Sequence, residues 1–156
     1  MMDFAAVSHP GRVRRNNEDY YLLPAVHSVE GLNADKLQAL GSLFVVCDGV
    51  GGHPAGEVAS RLAATELMRR YYATASANDD SGDLLPLLLR QVNDVVLQAG
   101  DVVPAHYGMA TTLVAALARD DRVCFSGVGD SRGYIFTGGR LRQVTEDHSP
   151  VWELYR

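Results

Sequence analysis

The stretch LFVVCDGVGGHPAGEVAS, residues 43–60, joins an apolar run to a glycine-rich turn and then to a helical pattern. Residues 42–47 are a continuous run of strand length, which predicts a strand buried on both faces. Asp48 ends that run as a single carboxylate, and Pro54 suits the first turn of a helix. A phosphate-binding turn needs amide donors and a cation at this point. An acid there raises the hypothesis of a metal site instead.

The patterns on either side of this stretch predict short strands, two long helices and then four more strands. This order indicates an α+β fold with antiparallel strands rather than alternating βαβ units. The helices would cover one face of a sheet or pack outside a two-sheet sandwich. Strands are predicted at 3–8, 20–23, 42–47, 111–118, 123–128, 134–136 and 141–144, and helices over 55–71 and 85–99, the latter ended by Gly100, with a short helical piece inside 25–41 and a new helix starting at Ser149-Pro150.

Length and composition indicate one domain spanning residues 1–156. The chain is 47% hydrophobic, which is enough for a real core. Its net charge of −5 argues against nucleic acid as a partner. The two cysteines, Cys47 and Cys124, lie in apolar runs and are expected to be reduced core residues. With no membrane-length apolar run and no secretion signal, the chain is expected to be cytoplasmic.

Three clusters combine acids with tight turns, each at or near a predicted strand end: residues 14–19, 48–53 and 129–132. Grouped hard oxygen ligands suit Mg²⁺ or Mn²⁺. Taken singly, each cluster is a weak signal. A dinucleotide-binding fingerprint is the rival interpretation of the glycine stretch. It is disfavoured because Pro54 occupies the position of the third glycine and Asp48 would repel a pyrophosphate.

Read in order, five segments resemble the PPM-type metal-dependent protein phosphatases, the type 2C family, and especially their bacterial branch. The resemblance extends from Gly11 over nearly the whole chain. It implies an antiparallel β-sandwich flanked by helices, here incomplete at the C-terminus, with a metal site between the sheets. The segments are GRVRRNNED, CDGVGGHPAGEVAS, ATTLVAAL, VGDSRGYIF and VTEDHS.

The resemblance also implies a site for two Mg²⁺ or Mn²⁺ ions. Asp48 would bridge both ions, while Glu18 and the Gly49 carbonyl would complete the protein ligands of the second. Asp19 would hold metal-bound water from the next layer. Glu18 and Asp48 are therefore expected to be near neighbours in space, although they are distant in sequence.

Further roles follow from the same resemblance. Arg14 matches the phosphate-gripping arginine, and a planar guanidinium can hold two phosphate oxygens at once. Asp130 would either lie near the ions through water or help to bind a weaker third ion. Arg15 is expected to point to solvent, and Arg132 to be structural.

The activity implied is hydrolysis of phosphoserine or phosphothreonine in protein substrates by a water that bridges the two ions. Some family members carry a histidine directly after the Asp-Gly pair as an acid for the leaving oxygen. Val50 stands there in this sequence and has no proton to give. His53 is expected to belong to the turn, and His148 to cap or pack.

Two further metal-binding aspartates of the family pattern do not occur before Arg156. Residues 1–156 alone are therefore expected to be a C-terminally truncated catalytic domain without manganese-dependent turnover. The alternative is a truncated or pseudophosphatase module that binds phosphoproteins without cleaving them. An unrelated α+β structural protein is the third hypothesis, and it predicts no effect of Mn²⁺ on melting.

Overall fold

The computed structural model describes residues 2–14, 16–24, 27, 32–50 and 55–148. Within them, β1 is Asp19–Leu22, α1 Ala34–Leu40, β2 Ser42–Asp48, α2 Gly56–Thr74, α3 Ser81–Val102, β3 Leu113–Arg119, β4 Arg122–Val128, β5 Tyr134–Thr137 and β6 Arg140–Gln143, with a 3₁₀ turn at Pro104–His106. The strands form an antiparallel sheet in the order β1-β2-β3-β4 and a separate β5-β6 hairpin. The predicted α+β class is confirmed.

The four-stranded sheet has two unlike faces, because successive side chains of a strand point to opposite sides. Leu43, Val45 and Cys47 are fully buried against the helices. We call their side the helix-covered face. Phe44 and Val46 point the other way, and Val46 is 47% exposed. We call this side the open face. The prediction that β2 is buried on both faces is therefore wrong for the described residues, since helices pack on one side alone.

Helix α2 packs on β1, β2 and β3, and α3 packs on α2 and β4. The helix predicted over 55–71 is confirmed as α2, and Ala59, Ala63, Leu67 and Tyr71 are buried along it. The end of α2 is tied to the start of β2 by two tyrosines. Tyr71 donates to the Leu40 carbonyl at 2.6 Å. Tyr72 donates to the Gly41 carbonyl at 2.9 Å and accepts from the Leu43 amide at 3.0 Å.

Helix α3 differs from its prediction at one end. Asp80 caps the start by accepting from the Gly82 amide at 2.7 Å, and Pro86 lies early in the helix. Gly100 does not end the helix, which continues to Val102 before Pro104 opens the 3₁₀ turn. Gly100 is instead buried beside that turn, where an added methyl group would lie 3.2 Å from the His106 carbonyl oxygen. It is a packing glycine and not a terminator.

The segment 3–8, predicted as a strand, is not a strand in the structure. Phe4 packs edge-on against Phe44 with ring centroids 5.6 Å apart. This segment therefore contacts the sheet through a side chain on the open face, and its backbone does not pair with a strand. The predicted strand in 20–23 is confirmed as β1, and the helical piece inside 25–41 as α1.

The four late strands are antiparallel pairs as predicted, but β4 and β5 belong to different sheets. The described residues thus form one four-stranded sheet and a separate two-stranded hairpin, which is part of the predicted fold. The helix predicted from Ser149 lies outside the described residues. No helix within the described ranges is long and apolar enough to span a bilayer.

Candidate active site

The register of β1 and β2 brings the predicted acids together. Asp19 lies directly opposite Asp48 across the two strands. One step beyond, the Gly49 amide donates to the Glu18 carbonyl at 3.1 Å. The expectation that Glu18 and Asp48 are near neighbours is confirmed for their backbones. Asp48 follows Phe44 and Val46 in even steps along β2, so this acidic group lies at one end of the open face.

Two glycines allow the chain to close tightly at this end of the sheet. An added methyl group on Gly49 would lie 2.9 Å from the Glu18 carbonyl oxygen and closer still to the Gly56 backbone. A methyl group on Gly56 would lie 3.3 Å from Glu18 Oε2. The Glu18 carboxylate therefore sits at the start of α2, where the helix dipole favours negative charge.

The backbone of Asp48 is held by two threonines at the start of β3. Thr111 Oγ1 donates to the Asp48 carbonyl at 3.0 Å. The Asp48 amide donates to Thr112 Oγ1 at 3.1 Å, and the Thr112 amide donates back to the Asp48 carbonyl at 2.8 Å. The sequence analysis gave these threonines no role. The only signal was the Thr-Thr pair in the segment ATTLVAAL.

The electrostatics at Asp48 show an excess of negative charge. Partial burial raises the pKa of the Asp48 carboxyl, and the charge and hydrogen bond of Asp19 raise it further. Arg14 lowers this pKa and Asp130 raises it. Two carboxyls can share a hydrogen bond only when one of them keeps a proton. A divalent cation would take the place of that proton, since hard cations prefer carboxylate oxygens.

Arg14 lies beside the acids with its guanidinium on Glu18. Arg14 Nη1 donates to Glu18 Oε2 at 2.9 Å, and the Arg14 side chain is 57% exposed. The guanidinium therefore keeps free N–H groups on a solvent-accessible side, which suits a phosphate ligand. Its partner in the structure, Glu18, is itself predicted to bind metal.

Asp130 lies in the loop after β4 and is close enough to Asp48 to raise its pKa. Next to it, Ser131 Oγ lies 2.6 Å from Thr112 Oγ1. Arg132 points away and forms an ion pair with Asp147, as its predicted structural role requires. The His148 amide donates to the Gly129 carbonyl at 2.8 Å. The structure therefore brings Asp130 near the other acids and leaves Arg132 outside the group.

The predicted ligands fit part of a site for a hard divalent cation. Glu18, Asp48 and the Gly49 backbone meet at one sheet end, and the raised pKa of Asp48 marks charge that a cation would offset. Over the described ranges, no three His, Cys, Asp or Glu side chains form a group that could hold a metal ion. The described chain therefore offers an incomplete set of ligands. Arg15 and His53 lie outside the described residues, and Val50 donates its amide to the Ala110 carbonyl at 3.0 Å.

Comparison with known proteins connects this geometry to a family. The family model described as Protein phosphatase 2C matches residues 27–152. The serine/threonine phosphatase stp of Listeria innocua is 38% identical over 149 residues, which are 94% of this chain and 54% of that protein. The serine/threonine protein phosphatase PstP of Mycobacterium tuberculosis is 35% identical over 157 residues, covering 99% of this chain and 26% of that protein.

Solved structures agree with the sequence relatives. Stp1, a serine/threonine phosphatase from Staphylococcus aureus, superposes with a TM-score of 0.76 at 32% identity, over 92% of this chain and 53% of that one. The catalytic domain of PstP in complex with two manganese ions gives a TM-score of 0.66 at 34% identity, over 93% and 55% of the two chains. The chain spans about half the length of Listeria stp. It belongs to the protein phosphatase 2C family, and it corresponds to the N-terminal catalytic part of its bacterial members.

Proposed function

We propose that this chain supplies the phosphate-gripping and part of the metal-binding machinery of a protein serine/threonine phosphatase. The observation that carries the proposal is the antiparallel register of β1 and β2, which puts Asp19 opposite Asp48 with Glu18 and Arg14 alongside. Membership of the protein phosphatase 2C family supports it. On this proposal residues 1–156 are part of a single catalytic domain whose complete form is a helix-flanked β-sandwich.

Each residue has a proposed task. Glu18, Asp48 and the Gly49 carbonyl would ligate Mg²⁺ or Mn²⁺ ions, two of them with a third near Asp130. When bound, such ions supply an activated water and offset charge on the transferring phosphoryl oxygens. Asp19, which lies opposite Asp48 across β1 and β2, would hold metal-bound water beside it.

Arg14 would bind the substrate. Its guanidinium presents several N–H donors in a plane, so it can hold two phosphate oxygens and fix the phosphoryl group for in-line attack. The proposed substrates are proteins phosphorylated on serine or threonine, since the related Listeria and Mycobacterium proteins are serine/threonine phosphatases by name.

A binding module without turnover is the second candidate. The lack of any grouped triad of metal-ligating side chains in the described ranges favours it. Such a module would keep Arg14 for phosphate and would bind a phosphopeptide without releasing phosphate. The two functions differ in turnover and not in recognition.

The test uses the full product of the gene, whatever its length. We expect Mn²⁺-dependent phosphate release from a phosphothreonine peptide, and we expect Asp48→Asn to abolish it. Asp101→Asn is the matched control, because Asp101 is exposed near the end of α3 and its charge is not among those that shift the pKa of Asp48. Peptide binding without phosphate release would favour the binding module. Turnover that survives Asp48→Asn would contradict the proposed site.

A further inference from the structure

Thr112 connects two parts of the site that are distant in sequence. Its hydroxyl accepts the Asp48 amide hydrogen at 3.1 Å and lies 2.6 Å from the hydroxyl of Ser131. A hydroxyl has one donor and two acceptor positions, so Thr112 can serve both partners at once. The result is a continuous hydrogen-bonded path from the end of β2, through the start of β3, to the loop after β4.

The loop after β4 is fitted closely against Thr112. Gly129 has φ = +93°, and an added methyl group there would lie 2.8 Å from Thr112 Cβ. The Gly129 carbonyl accepts the His148 amide hydrogen at 2.8 Å, which holds the other side of the loop. Asp130 lies between Gly129 and Ser131. Its backbone is therefore fixed on both sides by residues that contact Thr112.

We propose that Thr112 and Ser131 are positioning residues that hold Asp48 and Asp130 as one unit, so that cation affinity at Asp48 depends on the hydroxyl pair. This inference rests on the proposed function. In this proposal neither hydroxyl would be a ligand of the cation. They act by fixing the backbone of one carboxylate relative to the other, as outer-layer hydrogen bonds do in metal sites.

The alternative is that each hydroxyl satisfies its own strand locally. Thr112 would then hold Asp48 regardless of Ser131, and Ser131 would hold its loop regardless of Thr112. A double-mutant cycle separates the two cases, because residues in one network show effects that do not add. The variants are Thr112→Val, which keeps the side-chain shape, Ser131→Ala, and the two combined.

The measurement is Mn²⁺ affinity by water-proton relaxation on the full gene product, together with amide hydrogen exchange in the loop of residues 129–132. We expect each single variant to weaken Mn²⁺ binding about ten-fold, the low end for outer-layer partners, and the double variant to add little. Loop exchange should accelerate in Thr112→Val although the change lies on another strand. Thr112→Ser should restore both readouts. Thr137→Val, an exposed change on β5, should alter neither.

Additive effects, or unchanged affinity and exchange in Ser131→Ala, would overturn the inference. Wild-type protein that binds no Mn²⁺ would instead contradict the proposed function. In that case exchange in the loop still decides whether the hydroxyl pair couples the two segments, since it needs no metal. If Thr112→Val does not fold, Ser131→Ala and Thr112→Ser still show whether losing one hydroxyl of the pair, rather than merely changing a side chain there, alters Mn²⁺ affinity and loop exchange.

Discussion

The two faces of the four-stranded sheet are built from similar residues but meet different surroundings. On the helix-covered face, Leu43, Val45 and Cys47 have no exposed area, because α2 packs on β2. On the open face Val46 is 47% exposed and Val123 is 52% exposed. The acidic group lies at the end of the open face. The covered face thus supplies the rigidity, and the open face carries the candidate chemistry.

The largest expected effect tests this contrast on a single strand. Leu43→Ala should lower the free energy of unfolding by about 2–5 kcal/mol, because it leaves a cavity in a packed core. Val46→Ala, three residues later, should cost less than about 1 kcal/mol, since a half-exposed valine buries little apolar area. Urea denaturation of both variants measures the difference. Equal losses would mean that the open face is buried in the protein.

A second test concerns the buried hydroxyl of Tyr72, which ties the end of α2 to the start of β2. Tyr72→Phe removes the hydroxyl that bonds the Gly41 carbonyl and the Leu43 amide. We expect a loss of about 1–3 kcal/mol in unfolding free energy, because buried backbone groups lose their partner. Tyr107→Phe is the control, since Tyr107 is 71% exposed. An equally small change in unfolding free energy in both variants would show that the hydrogen bonds of Tyr72 add no stability.

A smaller effect is expected at the acidic end of the open face. Because Arg14 donates to Glu18 at 2.9 Å, a cation bound by Glu18 would have to displace the guanidinium. Arg14→Ala should therefore tighten Mn²⁺ binding by about two-fold, the scale of one exposed ion pair. Arg12→Ala removes the same charge nearby and serves as the control in calorimetric titration. Equal tightening in both variants would assign the effect to net charge and not to the contact.

The smallest effect lies on the outer side of the helical layer. The hydrogen bond from Arg69 holds the pKa of Glu66 below its ordinary value despite partial burial, and Arg70 lowers it further. A lowered pKa in the folded state adds stability that is present above the unfolded pKa and is lost as pH falls through the folded pKa. We expect a contribution of a few tenths of a kcal/mol, about the value of an exposed pair. When the free energy of unfolding is measured against falling pH, Glu66→Gln should lack the loss that Glu66 causes in the wild type. The same pH profile in both proteins would contradict this prediction.

The sequence predicted the elements of the covered face well, because strong periodic signals define them. The apolar run at 42–47 and the helical pattern over 55–71 predicted β2 and α2 near their observed bounds. The sequence could not show which side of β2 is covered, since Phe44 and Val46 are as apolar as their neighbours. It misplaced Gly100, because a glycine that packs closely looks the same in sequence as one that ends a helix.

The candidate site, like the fold, was predicted only in part from the sequence. The resemblance to the family predicted that Glu18 and Asp48 would be neighbours, and the pairing of β1 with β2 confirms this for their backbones. Their metal-binding roles stay predictions. The contact between Thr112 and Ser131 was not predictable, because it depends on where β3 and β4 place two ordinary hydroxyls.

The contact between Gly49 and Gly56 has a consequence for genetics as well as for folding. Alanine at Gly49 would force apart the end of β2 and the start of α2, whereas alanine at Gly56 would require its neighbours to shift by a few tenths of an ångström. Either allele would preserve the net charge and every acidic residue, and it would still disturb the geometry around Glu18. A survey of loss-of-function variants that scores only acidic and basic positions would overlook it.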